Sequence, residues 1–263
     1  MTKVSIHGAA GRMGTRLVAL GMADKSLEIV GAIEQPGHPR IGVDAGVVAG
    51  LGEIGLAISS EIPTSTQSLI DFSTPAGAQA AIRQCLGQEI GLVLATTGLS
   101  DEQKASVQAA AKRIPIVWAP NMSLAVNLTM KLTEIAANAL KDHATGADVE
   151  IIERHHRFKE DSPSGTALKF GEIVAKSMGQ EKHVHGREGF CGARTHGEIG
   201  YHAVRVGDNP GEHTIIFGLL GETIELRVSA TSRDCYAAGA LQAAKWVAGK
   251  SPGIYNMYDV LGI

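Results

Sequence analysis

Aromatic residues are scarce in this chain, at 4%, and cysteine appears only three times, as Cys85, Cys191 and Cys235. An odd number of widely spaced cysteines outside any C-x-x-C pair excludes a disulfide framework and a zinc ribbon, so buried thiols are expected. No run of about 18 apolar residues occurs, and no basic stretch followed by a short apolar one opens the chain, so neither a membrane span nor a secretory signal is expected. The predicted location is cytoplasmic. A large charge of one sign is also missing. The net charge of −3 argues against a general nucleic-acid or anionic-membrane binder and for a small ligand. Internal repeats and low-complexity segments are absent. What remains is ordinary for a globular protein: 263 residues, 44% hydrophobic and 19% charged, enough for two modest domains or one large one with a real core.

The start of the chain reads as a nucleotide site. Lys3 to His7 has the length and β-branched content of a strand, and Gly8-Ala-Ala-Gly11-Arg-Met-Gly14 follows directly. Thr15 to Asp24 then shows helical spacing of Leu17, Val18, Leu20 and Met22. In such an arrangement Gly8 permits the tight turn, Gly11 lets the backbone approach a pyrophosphate, and Gly14 lets helix pack on strand. The G-x-x-G-x-x-G spacing departs from the usual G-x-G-x-x-G, and a glycine turn before a helix is also common without a nucleotide. Leu27 to Ile33 is a second strand, and Glu34 at its end stands where an acid takes the adenosine ribose hydroxyls. The competing reading of Glu34 is a solvated strand end.

Gln35 to Gly55 is rich in glycine and proline with little periodicity and reads as a partly ordered excursion. Strand and helix then alternate. Leu69 to Phe72 is a strand, Ser73 with Pro75 looks like a cap and early proline, and Ala76 to Leu86 is helical. Gly91 to Ala95 and Ile114 to Ala119 are strands around a helix that ends at Lys112 and opens on a capping box, Ser100-x-x-Gln103. In an open parallel sheet, ligands bind beyond the carboxyl ends of the strands, which singles out Phe72, Thr96, Thr97, Gly98, Ala119 and Asn121. Ordinary loop chemistry is the alternative for each.

Ser123 to Leu140 is a long amphipathic helix, and Ala147 to Arg154 is a strand. The strand runs into His155-His156-Arg157-Phe-Lys159 and then Ser164-Gly165-Thr166, where a helix to Met178 begins. The first N–H groups of a helix have no intrahelical partner, so this stretch reads as a cationic cup for a carboxylate or phosphate, with histidines able to move protons near neutral pH. A solvated strand end followed by an ordinary N-cap at Ser164 is the rival reading. Gln180 to His196 reads as irregular; His183-x-His185 has metal-binding spacing, but nothing nearby completes a ligand set, and no metal is expected. Ile199 to Val206, Glu212 to Leu219 and Thr223 to Ala230 are strands that read as hairpins in a mixed or antiparallel sheet, and Cys235 to Ala248 is a helix.

Glu153-x-His155-His156-x-x-Lys159-x-Asp161-x-Pro163-Ser164-Gly165-Thr166-Ala167 resembles the signature of the dihydrodipicolinate reductase family. The likeness extends along the chain through the glycine turn, Asp71-Phe72, Thr96-Thr97-Gly98, Asn121-x-Ser123, Gly211-Glu-His213 and Gly253 to Leu261. It implies an α/β fold, with a Rossmann-like doubly wound parallel sheet and a second α+β domain carrying a mixed or antiparallel sheet. Residues 1–126 with 236–263 would form the dinucleotide-binding domain and residues 127–235 the substrate-binding and oligomerisation domain of a homotetramer. The implied reaction is reduction of 4-hydroxy-tetrahydrodipicolinate, a small cyclic dicarboxylate, by hydride from NADH or NADPH in lysine and diaminopimelate synthesis. His155 and Lys159 are the implied acid candidates, with the choice between them open, and His156, Ser164, Gly165 and Thr166 the implied substrate-binding residues. The cofactor is expected at Gly8, Ala9, Ala10, Gly11, Arg12, Met13, Glu34, Phe72, Ala95, Thr96, Thr97, Ala119, Pro120, Asn121 and Met122.

Two departures bear on the cofactor. Members that favour NADPH resemble one another in having arginine after the strand-end glutamate, where this chain has Gln35, and Thr74 stands where some relatives have a second arginine; Ala95 replaces a common glycine. NADH is therefore expected to serve at least as well as NADPH, unless His38 or Arg40 brings a cation to the 2′-phosphate. Two alternatives are another Rossmann dehydrogenase, which lacks support from the contexts of Cys85 and Cys191, and a redox sensor without catalysis, for which no basic DNA-reading helix is evident.

Overall fold

The computed structural model describes the whole chain, Met1–Ile263, which divides into two units: Met1–Leu124 with Asp234–Ile263, and Ala125–Arg233. The first begins with β1 (Thr2–His7), α1 (Gly14–Ala23), β2 (Leu27–Ile33), α2 (Ala45–Ala49), β3 (Ile58–Ser59), β4 (Ser68–Asp71), α3 (Pro75–Gln88), β5 (Gly91–Leu94), α4 (Asp101–Ala110) and β6 (Pro115–Trp118). The second contains α5 (Leu124–Leu140), β7 (Asp148–His155), α6 (Gly165–Met178), β8 (Lys182–His185), β9 (Glu198–Arg205), β10 (Gly211–Leu219) and β11 (Glu222–Ala230). The chain then returns to the first unit with α7 (Asp234–Val247), β12 (Gly253–Tyr255) and α8 (Met257–Leu261).

The first sheet is parallel throughout, in the order β12-β6-β5-β4-β1-β2-β3. The chain leaves β1 toward β2 on one side and later sets β4 on the other, so the order reverses at β1 and a crevice opens beyond the ends of β1 and β4. One face of the sheet packs Val4, Ile6, Val93 and Val117 against Leu17 and Val18 of α1 and Ala240, Leu241, Ala244 and Val247 of α7. The other packs Leu69, Leu92, Leu94 and Ile116 against Ala78, Ile82 and Cys85 of α3 and Val107 of α4. Strands buried on both faces read as continuous apolar runs, which is why these were recognisable.

Several expectations need correction. Thr74, not Ser73, caps α3, accepting from Gly77 N, while Pro75 takes the first helical position as expected. The 35–55 excursion is more ordered than its composition suggests. Asp44 caps α2 and its carboxylate accepts from the backbone N–H groups of Gly46, Val47, Ile54, Gly55 and Leu56. The tail contributes the edge strand β12 and the helix α8, and Cys191 is exposed, whereas Cys85 is buried. The expected Ser100–Gln103 capping box is present in both directions.

The second sheet has the order β11-β10-β7-β9-β8. It is mixed: β10 runs antiparallel to β7 and β11, and β9 runs parallel to β7 and β8. Only β10–β11 is a hairpin, because β7 lies between β9 and β10, so the reading of consecutive hairpins fails there. Residues 180–196, expected to be irregular, hold β8, which carries His183 and His185; both rings stack on Tyr201, and His183 Nδ1 lies 2.8 Å from the Tyr201 hydroxyl. On the covered face, Val149, Ile151, Ile199, Tyr201, Ile215 and Phe217 are buried, as are Ala167, Phe170 and Val174 of α6. Gly171 is required there, since a Cβ would fall 1.7 Å from the Tyr201 hydroxyl.

Candidate active site

In the first unit the glycine turn forms a tight cradle. A Cβ on Gly8 would meet the Phe72 carbonyl oxygen at 2.7 Å, and one on Gly14 would meet the Gly8 carbonyl at 2.1 Å; Gly8 also has φ +79. Helix α1 has no side-chain cap, and although Thr15 N donates to the Gly11 carbonyl, the amides of Gly14 and Arg16 in its first turn are left for an anion. Glu34 is fixed by accepting from Ala10 N at 2.9 Å through one carboxylate oxygen. These residues border a cavity of about 340 Å³ lined by His7, Gly8, Ala10, Gly11, Glu34, Gln35, His38, Phe72, Ser73, Thr74 and Gly77. The donor set fits a dinucleotide: uncapped amides for pyrophosphate, a carboxylate for ribose hydroxyls and the Phe72 side for a flat ring.

Of the expected cofactor residues, Gly8, Ala10, Gly11, Glu34 and Phe72 line this cavity together. Ala9, Ala95, Ala119 and Met122 are buried at the strand ends, while Arg12, Thr97 and Pro120 are exposed. Thr96 is buried: its hydroxyl donates to Asp71 Oδ2 at 2.6 Å and accepts from Ser73 N at 3.0 Å. Asp71 Oδ1 accepts from Ser73 Oγ and from His7 Nδ1, each at 2.6 Å. This fully buried carboxylate therefore ties together the ends of β1, β4 and β5. Asn121 Oδ1 accepts from Ser123 N, shaping the turn after β6, and Met13 is half-buried. His38 lines the cavity whereas Arg40 does not, which separates the two cations considered as substitutes for arginine.

In the second unit, β7 delivers Glu153 and His155 two residues apart, on one face, both buried. Glu153 Oε2 accepts from His155 Nδ1 at 2.5 Å, and Glu153 Oε1 accepts from Ser164 N at 3.0 Å. Arg205, at the end of β9, grips the same carboxylate with both terminal nitrogens at 2.7 Å and donates to the Asp161 carbonyl. Burial opposes ionisation of Glu153, but these hydrogen bonds win and hold its pKa below the usual value. His155 is shifted down, first by burial, with Glu153 opposing and the cations Lys159 and Arg205 adding to the fall. With Nδ1–H committed to Glu153, its reactive atom is Nε2. That nitrogen lies where a Cβ on Gly211 would be 2.9 Å away, so Gly211 leaves it room.

Ser164 caps α6 by accepting from Ala167 N at 3.1 Å, and its hydroxyl lies 3.0 Å from His213 Nε2. His213 packs edge-on to His155 with centroids 5.2 Å apart, and burial, then the charge of His155, pushes its pKa down to about 4. Lys159 Nζ sits 2.7 Å from Asp161 Oδ1. Gly165 is exposed, Thr166 is half-buried, and His156 is half-buried with Nδ1 enclosed. The cluster is thus less purely cationic than the linear sequence suggests: Arg205 is paired with Glu153 and Lys159 with Asp161, so an incoming anion would compete with Asp161 for Lys159. Arg205 and His213 were missed as members of the cup, because they come from β9 and β10 and only strand pairing brings them in. The Glu153-x-His155 spacing, which places both on one face of a strand, was the available signal for the dyad. No metal-binding cluster occurs, and no helix is long and apolar enough to cross a membrane.

Residues 2–122 match the family described as dihydrodipicolinate reductase, N-terminus, and residues 125–261 the one described as dihydrodipicolinate reductase, C-terminus. A 4-hydroxy-tetrahydrodipicolinate reductase of Rhodopirellula baltica is 58% identical over 268 residues, covering 99% of this chain and 96% of its own. The enzyme of the same name from Syntrophotalea carbinolica is 47% identical, with both chains fully covered. Among solved structures, the dipicolinate-bound dihydrodipicolinate reductase of Paenisporosarcina sp. TG-14 shares the fold, with a TM-score of 0.79 at 24% identity over 98% of each chain.

Proposed function

Since this chain belongs to the dihydrodipicolinate reductase family, we propose that it reduces 4-hydroxy-tetrahydrodipicolinate, by way of dihydrodipicolinate, to tetrahydrodipicolinate with NAD(P)H. The observation that carries this reading is the hydrogen-bonded cluster of the second unit: Glu153 orients His155 and accepts from the amide of Ser164, which caps α6, and Lys159 follows four residues after His155 in the same segment. Bound NAD(P)H supplies the hydride that adds to the ring of the conjugated imine. The residues of the first unit orient it. Uncapped amides at the start of α1 hold the pyrophosphate, and the outer oxygen of Glu34 takes the ribose hydroxyls.

The second unit handles the substrate. Ser164, Gly165 and Thr166 hold one carboxylate through hydroxyls and helix-start amides, and Lys159 and His156 balance the dianion. Hydride addition pushes an electron pair onto the ring, and a proton from Lys159 or His155 quenches it. Glu153 fixes the His155 ring, and Arg205 fixes Glu153. Water leaves the 4-hydroxy compound before reduction, so the sum is loss of water, gain of hydride and gain of a proton.

For the cofactor, NADH serves at least as well as NADPH in this reading. A 2′-phosphate about 5 Å from the Glu34 carboxylate is repelled by about 1 to 3 kcal/mol per unit charge, and Gln35 offers no compensating cation. The quaternary state is a homotetramer and the compartment the cytoplasm. The test is to add enzymatically generated 4-hydroxy-tetrahydrodipicolinate to protein and NADH and follow loss of reduced-nicotinamide absorbance. Absorbance that does not fall with either NADH or NADPH overturns the reading.

A further inference from the structure

His7 closes β1 and lines the cavity of the first unit, yet its residue is only 5% exposed. Its Nδ1 is bound to Asp71 at 2.6 Å. Both Asp71 oxygens already act as acceptors, Oδ1 from Ser73 Oγ and Oδ2 from Thr96 Oγ1, so Nδ1 is the donor in this pair. Asp71 is itself completely buried and held by Ser73 and Thr96, so the ring cannot swing away. The absent Cβ of Gly77 completes the arrangement: one there would lie 3.1 Å from His7 Cε1. The second nitrogen, Nε2, has no hydrogen-bond partner in the protein and is not among the fully enclosed polar atoms. A partnerless polar atom on a ring nine-tenths buried and fixed in direction, in a residue that lines a cavity, is one that a ligand is expected to satisfy.

We infer that His7 is a cofactor-contacting residue, its Nε2 bonding to the adenosine half of the dinucleotide; this rests on reading the cavity as the cofactor site. In the neutral ring this tautomer makes Nε2 an acceptor, so its partner is a donor. Adenosine offers two kinds, ribose hydroxyls and the purine amino group. Glu34, read as the acid that takes the adenosine ribose hydroxyls, and its neighbour Gln35 border the same cavity, which puts His7 on the adenosine side in this reading. None of this is encoded in the glycine pattern, since the residue before the first glycine is normally read only as the end of a strand.

The test uses full-length protein and calorimetric titration with NADH and with ADP-ribose. His7→Asn is the primary variant, because its amide can still donate to Asp71 while the far nitrogen is lost; His7→Ala removes both. Each is expected to weaken NADH and ADP-ribose alike, by about tenfold for one lost hydrogen bond. With nicotinamide hypoxanthine dinucleotide, which lacks the purine amino group, a vanished difference assigns that group and a persisting one assigns a ribose hydroxyl. In wild-type protein the ¹⁵N resonance of His7 Nε2, assigned through its own backbone, should move on adding ADP-ribose. That readout decides the matter should the variants fail to fold, and a purely structural role would leave it still. Unchanged affinity in a folded His7→Asn, or an unmoved resonance, overturns the inference and leaves water as the partner of Nε2. Failure of wild-type protein to bind NADH, NADPH or ADP-ribose instead sinks the cofactor reading itself.

Discussion

Lys159 and His155 sit in one cluster but differ in what surrounds them, and that difference makes their roles separable. Replacing Lys159 by Met or His155 by Ala should lower kcat about a hundredfold or more, the scale for a positioned acid, with NADH affinity unchanged by titration. Retention of more than half of wild-type turnover in a folded variant removes that residue from the chemistry. Burial keeps His155 neutral down to a lower pH than an exposed histidine, so activity persisting to about pH 8 assigns the proton to Lys159. Thr166→Val should raise the substrate KM more than it lowers kcat, since the hydrogen bond proposed for it to a substrate carboxylate would be made both before and during reaction. His213 makes a different prediction. Its folded pKa of about 4 lies below the unfolded value, so the unfolded chain binds a proton first and stability falls as pH drops from about 6.5 to 4. Glu150 and Glu198, both held near 2 by arginine hydrogen bonds, then lose their contribution as pH falls from about 4.5 to 2. Urea denaturation of His213→Gln should weaken the first decline, to which His155 also contributes, and keep the second. At this scale the sequence revealed the glycine turn, the position of Glu34 at a strand end and the cap at Ser164, because those depend on neighbours in the chain. It hid Arg205 and His213, which reach Glu153 and Ser164 across 52 and 49 residues through a register no local pattern specifies.

Helices and doubly buried strands were legible for a related reason: periodicity and capping residues are local. The capping box at Ser100 is an instance, and Ser100→Ala should cost about 1 kcal/mol in urea denaturation. The elements that escaped were short or lay at edges. Strand β3 is two residues long, and β8 and β12 are edge strands whose identity depends on the neighbour that pairs with them. The order of β9 and β10 was misread because adjacency in sequence suggested adjacency in the sheet, whereas β7 had already taken the place between them. Asp44 shows order hidden in a glycine-rich segment: one carboxylate gathers five backbone N–H groups. Asp44→Ala should therefore speed hydrogen exchange at Ile54, Gly55 and Leu56 while amides of β1 stay protected, and equal protection in both proteins would deny Asp44 this part.

For the molecule as a whole, cofactor choice is the property in which single positions act through the net charge of a cavity. The kcat/KM for NADH should equal or exceed that for NADPH, and Gln35→Arg should move the ratio toward NADPH. A wild-type preference for NADPH above about tenfold, or 1.4 kcal/mol, would defeat this. His38→Ala would then identify the cation responsible, because His38 borders the cavity and Arg40 does not. Light scattering should give about 110 kDa for a tetramer of 27.5 kDa chains. The return of the chain to its first unit carries one more consequence. Helix α7 contributes Ala237, Ala240, Leu241, Ala243, Ala244 and Val247 to the same core as Val4 and Ile6, and β12 pairs with β6. A ribosome releases the start of the chain first, so the first unit must wait, with the part of its sheet that α7 covers still bare, until Asp234–Ile263 has emerged, and the second unit, continuous in sequence, can finish folding before the unit that was begun ahead of it.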